Sequence, residues 1–337
     1  MKTPLRPARA ALGATLVLAA LAATTTPSLA APAPAKITIA YQAIPNGDLV
    51  VKHERWLEKA LPNTKISWKL FDSGGDVNTA VAAHAVDFGL AGSSPVARGL
   101  STKIDYEVPW IHDVIGTAEA LAVKKGINSV KDLKGKTIAT PLASTSHYSL
   151  LAALKEAGLS QSDVKIIDAE PDAIVAAWQR GDIDGAYTWN PSLAKLLAAG
   201  AHTIVDSAQL SKKGYATYDL GTVSTSFAKK HPDVVATWVA QEDRAVKLYR
   251  SDRARWAKDV GAELSLSTKD VLSQAAGLQF LTAKQQLGKA YLGGGLLTNL
   301  YATGAFNKDL GQIPSVAPRS AYAKAIYAAA AKKVAAG

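Results

Sequence analysis

Short apolar runs alternate with amphipathic stretches along most of the chain. The apolar runs predict strands at 36–41, 65–71, 87–91, 136–140, 164–168, 185–189 and 202–205. The stretches between them have helical spacing and predict helices at 48–60, 77–83, 149–156, 173–179 and 193–198. Strands that alternate with helices in this way indicate an α/β fold.

The pattern restarts near the middle of the chain and changes again towards its C-terminus. It begins anew at Lys131, and two α/β units in a chain of 337 residues suggest two lobes. From His231 onward long alanine-rich helices are predicted, including 234–249 and 322–334, and we expect them to pack back onto a sheet. The glycine run at 293–295 is interpreted as a loop between helices, with a hinge or ligand loop as the alternative.

The N-terminal segment has the composition of a secretory signal peptide. Lys2, Arg6 and Arg9 precede an apolar run at 10–23, and Ser28 and Ala30 provide the small residues of a cleavage site. The alternative, a membrane anchor, would need an apolar run of about 20 residues. The chain contains no cysteine, which excludes disulfides and an acylated N-terminal cysteine. We therefore expect export to the periplasm.

Charge and histidine spacing exclude several classes of function. The formal charge is +10, but the basic residues are scattered and form no stripe interleaved with aromatics, so nucleic-acid binding is not expected. No two of the six histidines are spaced i, i+4, and no G-x-S-x-G or H-E-x-x-H pattern occurs. We therefore expect no catalytic residues, no metal site and no cofactor.

Two predicted helix starts have the composition of anion-binding sites. Ser93 and Ser94 follow the strand 87–91, and Ser144, Thr145 and His147 follow the strand 136–140. Open α/β sheets bind ligands at the carboxyl ends of strands, where a helix N-terminus offers free N–H groups and a positive dipole end. Two such starts facing one cleft would hold an oxyanion between lobes. The alternative is helix capping without a ligand.

Two acids and one tryptophan are candidates for the other end of a ligand. Glu119 and Asp219 lie near the points where the chain is expected to pass between lobes, and their carboxylates would accept a ligand ammonium. Trp189 ends a predicted strand and would cover ligand methylenes or stack on a cation. The alternatives are ordinary surface acids and a core tryptophan.

Six stretches together resemble the taurine-binding periplasmic proteins of ABC importers. They are 40–42 (AYQ), 71–74 (FDSG), 92–95 (GSSP), 119–121 (EAL), 146–155 (SHYSLLAALK) and 176–187 (AAWQRGDIDGAY). The resemblance implies a type II periplasmic binding protein fold, with two α/β lobes joined by two crossover segments and a helical C-terminal tail. With the N-terminal pattern interpreted as a signal peptide at 1–30, the resemblance implies lobe I at 36–118 and 220–337 and lobe II at 119–219.

The resemblance also implies a function for these residues. The serines of the two helix starts would take a sulfonate, Glu119 and Asp219 would take an amine, and Gln42 would join the cleft. The chain is then expected to be a monomer that is not an enzyme and that delivers taurine or a similar sulfonate to an inner-membrane ABC permease. The alternatives are a binder of alkanesulfonates or another oxyanion, an enzyme of the thiamine-precursor type, and a ligand-loaded partner of a membrane sensor.

Overall fold

Two β-sheets organise the computed structural model, which describes residues 1–4 and 33–337. The strands are β1 (Lys36–Tyr41), β2 (Lys65–Leu70), β3 (Phe88–Gly92), β4 (Tyr106–Ile115), β5 (Glu119–Val123), β6 (Thr137–Thr140), β7 (Lys165–Asp168), β8 (Gly185–Trp189), β9 (His202–Asp206), β10 (Tyr218–Ser224) and β11 (Leu278–Gln279). Most of the predicted signal peptide lies outside the described residues. Within them, no helix combines the length and apolarity that crossing a membrane requires.

Helices connect and cover the strands, as the alternating pattern predicted. They are α1 (Gly47–His53), α2 (Trp56–Ala60), α3 (Gly74–Ala82), α4 (Ser93–Ser101), α5 (Thr145–Glu156), α6 (Pro171–Arg180), α7 (Ser192–Ala198), α8 (Ser207–Ser211), α9 (Thr225–Lys230), α10 (Pro232–Ser251), α11 (Arg253–Leu264), α12 (Thr268–Ala275), α13 (Ala283–Gln286), α14 (Gly295–Asp309), α15 (Arg319–Ala325) and α16 (Ala329–Ala336). The predicted α/β fold class is confirmed.

The two sheets share a topology, and the chain passes between them twice. The strand orders are β11-β4-β10-β3-β1-β2 and β7-β6-β8-β5-β9. In the first sheet β10 runs antiparallel to β3 and β4, and in the second sheet β5 runs antiparallel to β8 and β9. Each of these two strands follows directly after the chain has crossed from the other sheet. Glu119 opens β5 directly after the first crossing, and Asp219 lies one residue inside β10 after the second. Both acids are therefore placed where the two sheets meet.

Apolar central strands and C-terminal helices build the core of the first sheet. Ile37 and Ile39 of β1 are buried against Val235, Trp238 and their neighbours on α10. In a second apolar cluster, residues of α14 and α15 pack against β3, β4 and α4. Parallel strands buried on both faces have this continuous apolar character. The C-terminal helices therefore pack onto a sheet, as predicted.

Several elements differ from the predicted ones for local reasons. The helix predicted at 48–60 is interrupted at Arg55, which adopts a left-handed backbone with φ of 54°. The helix predicted at 322–334 is two helices, α15 and α16. β4 escaped prediction because its sequence contains Pro109, His112 and Asp113, which are unusual within a central strand.

Candidate functional site

A cleft lies where the strand ends of the two sheets face each other, and its empty space is about 480 Å³, including space open to solvent. Its lining comes from both sheets and consists of Gln42, Ile44, Pro45, Gly74, Gly92, Pro95, Ile115, Ala118, Glu119, Ser144, Thr145, Trp189, Asn190, Asp219 and Leu278. Six predicted site residues are therefore brought together: Gln42, Glu119, Ser144, Thr145, Trp189 and Asp219. Ser93, Ser94 and His147 are not among the lining residues.

Three helix starts converge on this cleft, one more than the sequence predicted. Gly74 begins α3, Gly92 precedes α4, and Ser144 precedes α5, and all three line the cleft. A Cβ added to Gly74 would lie 3.2 Å from the backbone nitrogen of Gly92, so the first two helix starts are in close contact. The first N–H groups of a helix have no partner within it, and the positive dipole ends of all three helices lie at this cleft. This end of the cleft suits an anion.

The hydroxyls at these helix starts form hydrogen bonds within the protein. Ser144 accepts a hydrogen bond from the backbone N–H of His147 at 3.1 Å and donates to the carbonyl of Pro141 at 2.6 Å. Ser93 accepts from the backbone N–H of Tyr218 at 3.2 Å, which ties α4 to β10. The proton of the Ser144 hydroxyl is thus used within the protein, and direct contact of Ser93 and Ser144 with a ligand stays a prediction.

His147 and Ser94 are likewise used within the protein. The ring Nδ1 of His147 accepts from the backbone N–H of Ala143 at 3.3 Å. Burial, with the charge of Arg98 as the second cause, lowers the pKa of His147 to about 4, so the ring is neutral at pH 7. Ser94 accepts from the side chain of Asn307 at 3.4 Å. Direct contact of these two side chains with a ligand stays a prediction.

Glu119 is the acceptor of four hydroxyl groups beside the cleft. Thr145 and Ser146 donate to its Oε2 at 2.5 and 2.9 Å, and Ser207 and Ser149 donate to its Oε1 at 2.7 and 3.3 Å. Burial raises the pKa of Glu119, and the four hydroxyls oppose this rise. Glu119 therefore fixes the start of α5, a role that the sequence did not reveal.

Asp219 is paired with a second acid, Asp113, that the sequence prediction missed. The two face each other across β10 and β4, and Asp113 is completely buried with neither carboxyl oxygen hydrogen-bonded. Burial, followed by the charge of Glu119, raises the pKa of Asp219 to about 7. Burial and the charge of Asp219 raise the pKa of Asp113 well above its usual range. Asp113 escaped prediction because nothing in the sequence indicated that β4 would pair with β10.

The remaining lining residues set the polarity of the cleft. Trp189 lies opposite Glu119 in the pairing of β8 with β5 and is half-buried, and Gln42 donates to the carbonyl of Leu90 at 2.9 Å. Among the described residues that line the cleft, none is a lysine, arginine or histidine, whereas two are carboxylic acids. The cleft thus combines the uncharged N–H donors of the helix starts with the carboxyl groups of Glu119 and Asp219.

The fold and this cleft define a type II periplasmic binding protein. The chain belongs to the NMT1/THI5-like family, whose model matches residues 69–252. It is 38% identical over 287 residues to the taurine-binding periplasmic protein of Escherichia coli K12, covering 83% of this chain and 88% of that protein. It is 30% identical over 242 residues to a putative aliphatic sulfonates-binding protein of the same strain, covering 71% of this chain and 75% of the relative.

A solved structure confirms the fold independently. The alkanesulfonate-binding protein SsuA of Xanthomonas axonopodis pv. citri, bound to MOPS, matches with a TM-score of 0.73 at 24% identity. The match covers 88% of this chain and 99% of that protein. The fold class predicted from the sequence is thus that of a sulfonate-binding relative.

Proposed function

We propose that this chain is the solute-binding component of an ABC importer and captures taurine or a closely similar amino-sulfonate. The observation that supports this is the absence of a cationic side chain from the described cleft lining, which instead contains Glu119 and Asp219. A simple anion would be repelled by these acids. A zwitterion brings its own ammonium, which would bind Asp219 while its sulfonate binds the helix starts.

The proposed site assigns each end of the ligand to different elements. The sulfonate would accept hydrogen bonds from backbone N–H groups at the starts of α3, α4 and α5. The methylenes would lie against Trp189, and Gln42 would contribute a polar contact. Glu119, held by four hydroxyls, would support the start of α5 and add negative charge near the ammonium.

The architecture suggests how capture would be coupled to delivery. We assign lobe I to 36–118 and 220–337 and lobe II to 119–219, because the second sheet lies within 119–219 and the first sheet, apart from Tyr218 and Asp219 at the start of β10, lies outside it. A ligand shifts the equilibrium towards closure only by binding the closed form more tightly. The closed, loaded monomer would then dock onto an inner-membrane permease from the periplasm, to which the segment 1–30 would direct it.

We further propose that the chain performs no covalent chemistry. The two relatives described above are named as binding proteins. The chain has no cysteine nucleophile, and the one histidine near the helix starts, His147, is engaged with the backbone of Ala143. Taurine recovered unchanged after prolonged incubation with the purified protein is the expected result, and a released sulfite or amine would contradict it.

Calorimetric titration with taurine, ethanesulfonate and sulfate tests the proposed function. We expect one-to-one binding of taurine and much weaker binding of ethanesulfonate, because only taurine carries an ammonium for Asp219. Binding of ethanesulfonate in preference to taurine would leave the three helix starts as an anion site. It would remove the ammonium role of the acids and make the chain an alkanesulfonate importer component.

A substitution at Gly92 tests closure of the cleft. An added Cβ would lie 2.5 Å from Cγ2 of Thr145, whose hydroxyl is bound to Glu119, so Thr145 cannot easily turn away. Overpacking of this kind costs about 1–3 kcal/mol, so Gly92→Ala should weaken taurine and ethanesulfonate alike, by about tenfold. Gly75→Ala is the matched control, because a Cβ there meets neighbours only at 3.7 Å or more. Unchanged affinity in Gly92→Ala would show that the two sides do not close at this point.

A further inference from the structure

A second cluster of ionisable side chains lies away from the cleft, inside the part of the chain built around the first sheet. Asp48 of α1, His112 of β4 and Glu242 of α10 are completely buried together. Nε2 of His112 lies 3.7 Å from Oδ2 of Asp48, and its Nδ1 lies 3.6 Å from Oε2 of Glu242. These separations are too long for hydrogen bonds.

The cluster leaves an unusual number of buried polar atoms without a partner. Both ring nitrogens of His112, both carboxyl oxygens of Glu242 and Oδ1 of Asp48 have no hydrogen bond. Buried polar groups in proteins are nearly always satisfied, and an unpaired buried charge is among the most destabilising features known. Five unsatisfied atoms on three adjacent side chains therefore indicate a missing partner that all three share.

We propose that Asp48, His112 and Glu242 bind a divalent cation of the zinc type. One donor atom of each side chain, a single ring nitrogen in the case of His112, lies within 4.8 Å of the other two, so side-chain rearrangement would bring all three onto one ion. A tetrahedral ion with bonds of about 2.0–2.2 Å holds its donors roughly 3.4 Å apart. Imidazole with carboxylates favours a first-row metal such as zinc over calcium or magnesium, which prefer oxygen alone.

The backbone around the cluster leaves space for these side chains. Gly47, which precedes Asp48, lies so close to Glu242 that an added Cβ would be 2.6 Å from Oε2. Gly221 of β10 lies similarly near His112, with an added Cβ 3.2 Å from Nε2. Larger residues at either position would press on the donor atoms.

Charge balance supports a dication rather than a bound anion or a monovalent ion. Two carboxylates and a neutral imidazole carry a charge of −2, which a dication neutralises. An anion would add to this charge, and a monovalent cation would leave half of it unbalanced in the protein interior.

Metal content and thermal stability of the exported protein, purified without an affinity tag, test the site. We expect about one zinc per chain by mass spectrometry after unfolding, refolding with Zn²⁺ and dialysis. The melting temperature should fall when the protein is refolded with a chelator. Glu242→Gln mimics the protonated side chain and should fold, yet bind zinc at least about 100-fold more weakly, as should His112→Asn.

A surface variant separates this site from adventitious binding. His53 lies 3.3 Å from Glu263 and forms an exposed histidine–carboxylate pair. His53→Gln should leave metal content and melting temperature unchanged. The proposal is overturned if refolded protein retains no zinc, or if zinc binding survives Glu242→Gln and His112→Asn, whatever the result for His53→Gln. Metal content and melting temperature are measured without taurine. The test of the metal site is therefore independent of the test of the proposed function.

Discussion

Asp219→Asn is expected to weaken taurine binding by about 100-fold or more while leaving ethanesulfonate affinity unchanged or slightly improved. Removing one partner of a buried, hydrogen-bonded charge pair costs about 2–5 kcal/mol, because the other charge is left without compensation. The ammonium of taurine would be that charge. Ethanesulfonate has no ammonium, and loss of a nearby carboxylate lowers the repulsion that its sulfonate experiences. Parallel calorimetric titrations of both ligands measure the two changes.

Asp113→Asn is the matched control for this variant. Asp113 is the adjacent acid across β4 and β10, but it is not among the residues that line the cleft. Its replacement by a neutral amide should therefore change taurine affinity little. Equal losses of affinity for taurine and ethanesulfonate in Asp219→Asn would show that Asp219 does not bind the ammonium of taurine.

The pKa of Asp219 predicts how the affinity for taurine changes with pH. Burial raises this pKa to about 7, so in the ligand-free cleft the carboxyl takes up a proton as the pH falls below 7. The ammonium must displace that proton, which costs about 1.4 kcal/mol per pH unit. Taurine affinity should then fall about tenfold per unit below pH 7 and level off above it, and Asp219→Asn should abolish this slope.

The sequence predicted much of the site because its anion end depends on local patterns. A strand followed by Ser or Gly and then a helix is visible in sequence, and the starts of α4 and α5 were found in this way. The hydroxyl roles were not visible, since Ser93 binds the backbone of Tyr218, which is 125 residues distant. Side-chain partners at such separations follow only from the fold.

The buried cluster of Asp48, His112 and Glu242 also could not be predicted from the sequence. Histidine spacing in the sequence indicated no metal site, because metal motifs are recognised when ligands share one helix or turn. Asp48, His112 and Glu242 come from three elements that only the packing of α1 and α10 against β4 brings together. β4 itself was not predicted, since Pro109, His112 and Asp113 interrupt its apolar pattern.

Glu119→Ala is expected to have the largest effect on stability and to weaken both ligands together. It removes the acceptor of four hydroxyls, from Thr145, Ser146, Ser149 and Ser207, and leaves a cavity. Buried groups without partners and an unfilled cavity together cost about 3–5 kcal/mol, which would lower the melting temperature by roughly 10 °C. The start of α5 would no longer be held in place by Glu119. The affinity of the helix starts for the sulfonate group should therefore fall for taurine and ethanesulfonate alike.

Two conservative variants test whether Glu119 supports the start of α5 or binds the ammonium of taurine. Glu119→Gln keeps the shape and can still bond several hydroxyls, so it should recover most of the stability that Glu119→Ala loses. Thr145→Val removes one of the four donors and should cost only about 1 kcal/mol. If Glu119→Ala instead retains its stability and its ethanesulfonate affinity while losing taurine, then Glu119 receives the ammonium directly. In that case the four hydroxyls would donate to Glu119 because it is charged, and they would not be needed to hold the start of α5.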